Sequence, residues 1–341
     1  MSAQSLPAEA IGLPELAARA RAPLTDAASP LGESPCLLLH LAKSMPGLEA
    51  QEEAHLARWL RRQPCPVIAL AEQGAHEPLQ QACDVVAADA ATLGTVLENI
   101  RCSPLAAMVL VQVLRVTESM TVEQALVVES LAYATLQGGP EMRRWLQAQA
   151  PRDRPRARDP GPPVMVEREG DEVGIRLNRP GRRNSMSVEM RDALHEALQF
   201  VAADPSIRKV RVSGNGKCFS AGGDLDDFGT APDPTTAHAV RSLRLPAAAL
   251  LQCAGRVEFR VHGACVGAGA ELPAFGRRVV ATRDAFFLLP EIRMGLIPGA
   301  GGCVSIPRRI GRQRAAYMAL SAARIDASTA LAWGLVDAIE D

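Results

Sequence analysis

The chain has 341 residues, enough for about two domains, with 37 basic and 38 acidic side chains. That balance excludes a broad polyanion-binding face, and an aromatic content of 4% argues against a stacking platform for nucleic acid bases. No apolar run approaches the ~20 residues of a membrane span, and the opening MSAQSLPAEAIGLPELAARARAP lacks the continuous apolar centre of a secretory signal. The eight cysteines are scattered, with no CxxC and no Cys/His cluster of zinc spacing. Reduced thiols, a cytoplasmic location and no metal site are therefore expected.

In chain order, CLLLHL (36–41) and PVIALAE (66–72) read as buried strands. From about Thr92 to Leu146 the pattern is mostly helical. VEQALVVESLAYATLQ (122–137) has apolar residues at packed-helix spacing, and Gly138-Gly139-Pro140 ends it. PRDRPRARDPGPP (151–163), with five prolines and dense charge, can form neither a helix nor a central strand. It is expected to be a linker dividing the chain into 1–150 and 164–341.

Beyond it, VMVEREG (164–170) and EVGIRLN (172–178) alternate apolar and polar residues around Gly170-Asp171, which predicts a hairpin. A helix is predicted over Ser187–Ala203, with Ser187 as N-cap and Met190, Leu194, Leu198 and Val201 on one face. KVRVSG (209–214) and VEFRV (257–261) are further strands, and the alternation of strands with helices points to an α/β fold. Residues 66–93 and 256–287 share an order of strand, turn, short helix, strand and turn. That order fits an internal repeat, and it also fits chance similarity between two α/β stretches.

Three glycine-punctuated strings carry the chemistry. In KCFSAGGDL (217–225), small residues let the backbone approach a ligand, and Asp224 could cap a following helix; alone, AGG is also an ordinary turn. In HGACVGAGAEL (262–272), Gly267, Ala268 and Gly269 precede a short helix with Glu271 in its first turn, where free N–H groups and the helix dipole converge. Glu271 could equally be a simple capping carboxylate, and Pro273 is tolerable in that first turn. In PEIRMGLIPGAGG (290–302), Glu291 follows the apolar run AFFLL, so burial should raise its pKa toward that of a proton donor or acceptor. The alternative is a loop glutamate paired with Arg293, with Gly299, Gly301 and Gly302 merely opening a helix. Residues 227–245 are expected to form a mobile, Pro-containing lid over any pocket.

In this order and spacing the strings resemble the enoyl-CoA hydratase/isomerase family, the crotonase superfamily. LNRPGRRNSMS (177–187) is similar to the family's LNRP-x-x-x-NA-[LM]-S segment and GLVDAI (334–339) to its GLVD segment, so the resemblance covers about 164–341. It implies an α/β fold, a crotonase-like spiral of ββα units, preceded here by an N-terminal α/β-to-helical part. It implies an oxyanion hole from the backbone N–H groups of Gly223 and Ala268. Gly223, Asp224, Leu225 and Asp226, with Ala268, would lie along acyl-CoA. Family hydratases carry acids matching Glu271, which deprotonates water, and Glu291, which exchanges the C2 proton. Syn hydration of a 2-enoyl-CoA in fatty acid metabolism follows, with no cofactor beyond the coenzyme A thioester and a homotrimer or hexamer as assembly. Isomerase, decarboxylase or thioesterase chemistry and a non-catalytic acyl-CoA-binding subunit are the alternatives.

Two departures stand out. Gly276-Arg277 replaces the Cys-Asp usual after the second string. The sequence also ends at Asp341, where the family continues into several helices. Residues 104–147 resemble that helical region, so the N-terminal part reads as a degenerate crotonase remnant in a permuted arrangement. Its helices should pack against the 164–341 core, in cis or from a neighbouring subunit.

Overall fold

The computed structural model describes residues 10–22, 28–45, 47–149 and 159–341. Residues 151–158 of the expected linker, and 1–9 of the opening segment, lie outside the described residues.

The N-terminal part begins with α1 (Leu13–Arg21), β1 (Leu37–Leu41), α2 (Ala50–Arg61), β2 (Val67–Ala71), α3 (Glu77–Ala82) and β3 (Val85–Ala87). Both strands expected there are present, and β1, β2 and β3 form a parallel three-stranded sheet. The helical stretch resolves into α4 (Ala90–Cys102), α5 (Pro104–Thr117), α6 (Val122–Gln137) and α7 (Pro140–Ala148). Local chemistry sets the breaks. Asp89 caps α4 through the Thr92 N–H, Thr121 and Gln124 form a reciprocal capping box on α6, and Pro140 opens α7.

The second part opens with the predicted hairpin, β4 (Val164–Glu169) and β5 (Glu172–Leu177), antiparallel around Gly170 at φ +61°. Helix α8 (Val188–Ala203) follows its Ser187 cap, then β6 (Lys209–Gly214), α9 (Pro234–Arg244), α10 (Pro246–Leu251), β7 (Val257–Val261), β8 (Ala264–Val266), α11 (Ala268–Glu271), β9 (Arg278–Thr282) and β10 (Phe286–Leu288). Helices α12 (Gly302–Ile310) and α13 (Arg312–Ser321), strand β11 (Ile325–Asp326), α14 (Ala327–Trp333) and β12 (Ala338–Glu340) complete it. A six-stranded sheet runs β12-β9-β7-β6-β5-β4, parallel except at β4–β5, and a smaller one runs β11-β10-β8. This is the α/β architecture expected. Residues 66–93 and 256–287 both place a strand, a short helix and a parallel neighbouring strand, but β8 and the glycine run intervene only in the second.

Helices α4–α7 lie against the second part. Leu110, Val111, Tyr133 and Met142 share one apolar core with Ile292, Leu296, Val304 and Ala316. Polar ties cross the same boundary. Asn99 donates to the carbonyls of Leu320 and Ser321 at 2.8 and 3.0 Å. Buried Asp84 is gripped by Arg115 and, at 2.9 Å, by Arg312. The packing of 104–147 on the core expected from sequence is thus present within one chain.

Two local expectations are corrected. No helix follows Asp224: the chain turns there, and the Asp224 carboxylate accepts from Ser185 Oγ at 2.9 Å and the Asp226 N–H at 3.1 Å. The 227–245 segment is not a plain lid loop, because Asp233 caps Thr236 and starts α9, which packs on α6. The sequence DPTTA signals that cap, with proline at the first helical position.

Candidate active site

The site forms where the first two glycine strings run side by side beyond β6 and β8. Ser220 bridges Cys265 in parallel register, with Ser220 N–H donating to Ala264 O at 3.2 Å and Val266 N–H to Ser220 O at 3.0 Å. Further along, a Cβ on Gly222 would stand 3.6 Å from Gly267 Cα, and Gly223 and Ala268 both line the adjoining cavity. Bare backbone makes this approach feasible. A Cβ on Gly222 would come 2.8 Å from Val266 O, and one on Gly223 would come 2.7 Å from the Phe228 ring.

Gly223 bridges Met186, but the ladder uses the N–H groups of Met186 and Asp224 instead. Ala268 is the first residue of α11, where no intrahelical acceptor exists. Neither the Gly223 nor the Ala268 N–H has a hydrogen-bond partner among the described residues. Asn184 secures the first string from behind. Fully buried at φ +50°, it donates to the carbonyls of Asn215, Cys218 and Phe219 at 2.9–3.1 Å.

Glu271 and Glu291 converge here, 2% and 8% exposed. A Cβ on Gly267, which sits at φ +49°, would lie 2.7 Å from Glu291 Oε1 and 3.8 Å from Glu271 Oε1. Both carboxyls therefore face one point beside the Ala268 N–H. Glu271 does not cap its own helix. Its Oε2 accepts from the N–H groups of Ala300 and Gly302 at 2.6 and 2.8 Å, at the start of α12. Glu291 is not paired with Arg293, which donates to Ala322 O; Glu291 Oε2 is buried without a hydrogen-bond partner among the described residues. Pro273 opens a separate 3₁₀ turn after α11 rather than sitting in its first turn.

Burial pushes the Glu271 pKa up to about 7, moderated by the two N–H donors. Glu291 is raised well above the carboxylate range, first by burial and then by the charge of Glu271. Both carboxyls are therefore raised above the ordinary carboxylate range, each chiefly by burial.

The adjoining cavity, about 400 Å³, is lined by Met186, Phe228, Leu245 and both glutamates, and also by Tyr133 and Arg241. Asp224 lines it too, tied to Arg182 at 2.7 Å. Leu225 and Asp226 are exposed and lie outside the lining; Asp226 pairs with Arg182 at 3.1 Å.

Sequence reasoning missed three residues here: Glu129, Tyr133 and Arg241. Glu129, 0% exposed, reaches in from α6 and accepts from the N–H groups of Gly301 and Cys303 at 2.7 and 2.8 Å. Arg241, on α9, stacks over the Tyr133 ring at 4.2 Å and approaches Glu129 at 3.9 Å. A signal for Glu129 was available: it shares the buried face of its helix with Ala125 and Tyr133, four residues to either side, where an acid needs a partner.

Two N–H groups without partners among the described residues and two buried carboxyls on one cavity of an α/β scaffold are able, chemically, to hold an oxyanion and to move protons. The enoyl-CoA hydratase/isomerase family matches residues 169–340, and the chain belongs to that family. It is 37% identical over 171 residues to the 1,2-epoxyphenylacetyl-CoA isomerase of Escherichia coli K12, covering 49% of this chain and 65% of that one. It is 34% identical over 174 residues to the 2,3-dehydroadipyl-CoA hydratase of the same organism, covering 51% and 67%. The chain thus spans about two thirds of the length of these relatives. A crystal structure of enoyl-CoA hydratase from Mycobacterium smegmatis shows 33% identity and a TM-score of 0.49 over 52% of this chain and 70% of that chain.

Proposed function

We propose that the chain hydrates 2-enoyl-CoA thioesters by syn addition of water through an enolate. The observation that carries this reading is the convergence of Glu271 and Glu291 on one point beside Gly267, in a cavity that Gly223 and Ala268 also line with N–H groups lacking partners among the described residues. The thioester oxygen accepts from those two N–H groups, which favour it most as negative charge develops there. Glu271, as carboxylate, takes a proton from water while the water oxygen bonds to C3. The C2–C3 π electrons move onto the thioester as an enolate. Glu291, whose burial favours the protonated form, then delivers its proton to C2, and the proton on Glu271 returns to Glu291 to close the cycle.

The electron sink is the thioester itself, so the proposal calls for no further cofactor. A homotrimer or hexamer in the cytoplasm remains the expected setting. The experiment is an assay against 2-enoyl-CoA esters of graded chain length, following loss of the conjugated thioester absorbance. No turnover on any ester would sink the reading.

A specific observation also supports a second reading. Glu271 is held by two N–H donors, whereas Glu291 keeps an oxygen without a partner. One free carboxyl suffices to carry a proton between C2 and C4. Double-bond migration in 3-enoyl-CoA esters, without hydration, would favour that isomerase over the hydratase.

A further inference from the structure

We propose that Glu129, supplied by α6, is a positioning residue that fixes the Glu271 carboxyl by holding the other half of the same turn. The proposal rests on the reading of Glu271 as a catalytic carboxyl.

Four consecutive N–H groups open α12, and the two acids take them alternately. Ala300 and Gly302 donate to Glu271, and Gly301 and Cys303 donate to Glu129. The oxygens are used differently. Glu271 takes the Ala300 and Gly302 N–H groups on Oε2, while Oε1 lies toward Gly267, 3.8 Å from where a Cβ would stand there. Glu129 spends one oxygen on each donor and keeps none for chemistry.

The turn tolerates little adjustment. Gly301 sits at φ +103° against the Phe275 ring, and a Cβ on Gly302 would come 2.7 Å from Glu271 Oε2. If Glu129 let go, two buried donors would be orphaned, and Glu271 would be the nearest carboxyl able to take them. Its free oxygen would then turn from the cavity toward the helix start. The groups facing Glu129 are Glu271 from α11, Glu291 after β10, Arg241 from α9, Cys303 from α12 and Tyr133 on its own helix. The acids therefore titrate as a set, and a change at Glu129 must register at Glu271.

The test uses the full chain with Glu129→Gln and Glu129→Asp. Glutamine matches the shape but must aim an NH₂ at one of the two N–H groups. Aspartate keeps the carboxyl but reaches only one of them. For Glu129→Gln, kcat on the best enoyl-CoA should fall by about tenfold to a hundredfold with KM little changed. The acid limb of the kcat profile should move to lower pH. The ¹³C carboxyl signal of Glu271, assigned by its loss in Glu271→Gln, should show the same downward move of its midpoint. Glu129→Asp should give an intermediate kcat with a midpoint nearer the parent.

A folded Glu129→Gln that only melts earlier, with kcat, limb and midpoint at parental values, would make Glu129 purely structural and overturn the proposal. If glutamine prevents folding, Glu129→Asp decides, and parental kcat there would overturn it equally. If the parent turns over no ester, the hydratase reading fails, while the Glu271 midpoint still decides for or against positioning.

Discussion

Glu129 and Glu271 enter from opposite parts of the chain and grip alternate N–H groups of one turn, Ala300 to Cys303. The consequence is architectural. The family match begins at residue 169, yet one of the acids that shape its centre comes from α6, far upstream. Tyr133, one helical turn further along α6, packs its ring on Gly299 so closely that no Cβ fits there. The α6 helix is therefore part of the wall of the site.

Gly299→Ala should accordingly drive Tyr133 and α6 away from the turn. Overpacking of this kind typically costs about 1–3 kcal/mol. Paired melting curves and kcat values should show both falling together. Full activity with a parental melting curve would mean that α6 adapts freely and has no hold on the turn.

Asn184 should matter for both stability and rate without touching substrate. Asn184→Ala orphans three carbonyls and places alanine at φ +50°, a conformation asparagine tolerates better. The expected loss is at least about 1–3 kcal/mol by denaturant unfolding. Because the Gly223 N–H depends on the same segment, kcat should drop as well. A variant with unchanged unfolding midpoint and rate would contradict this role.

The stability of the chain should decline as pH rises from about 5 to about 8. The pKa values of Glu271 and Glu129 are about 7 and about 8, raised from 4.5, and Glu291 is raised further. Between the unfolded and folded values the native state holds protons that the unfolded state has released, so the slope of stability against pH is negative. Above the folded values this contribution is gone. Glu129→Gln or Glu291→Gln should flatten the slope in urea titrations across this window; an unchanged slope would show that these acids are ionised throughout.

Much of this was legible in the chain. The β4–β5 hairpin, α8 with its Ser187 cap and the glycine strings follow local rules of alternation, capping and turn chemistry. Glu271 and Glu291 could be singled out because glycine strings surround them. The helix face of Glu129 marks it as a buried acid, but its partners could not be named, because no local pattern encodes its contact with Gly301 and Cys303. The 227–245 segment misled because its prolines masked the Asp233 cap that starts α9. Asp224 looked like a helix cap, whereas its carboxylate serves Ser185, Arg182 and the Asp226 N–H.

Glu271→Gln and Glu291→Gln should each lower turnover at least ~10²-fold while acyl-CoA still raises the melting temperature, since the backbone donors are untouched. Glutamine at 271 can keep its oxygen on the Ala300 and Gly302 N–H groups, so the loss would be chemical rather than structural.

The central claim is tested most directly by mass spectrometry of the product formed from a 2-enoyl-CoA in H₂¹⁸O and, separately, in D₂O. The account predicts a 3-hydroxyacyl-CoA carrying one ¹⁸O at C3 and one deuterium at C2. Glu271→Gln and Glu291→Gln should each form that labelled product at least ~10²-fold more slowly. Absence of ¹⁸O in the parent across all chain lengths, or labelled product formed by both variants at the parental rate, would contradict it.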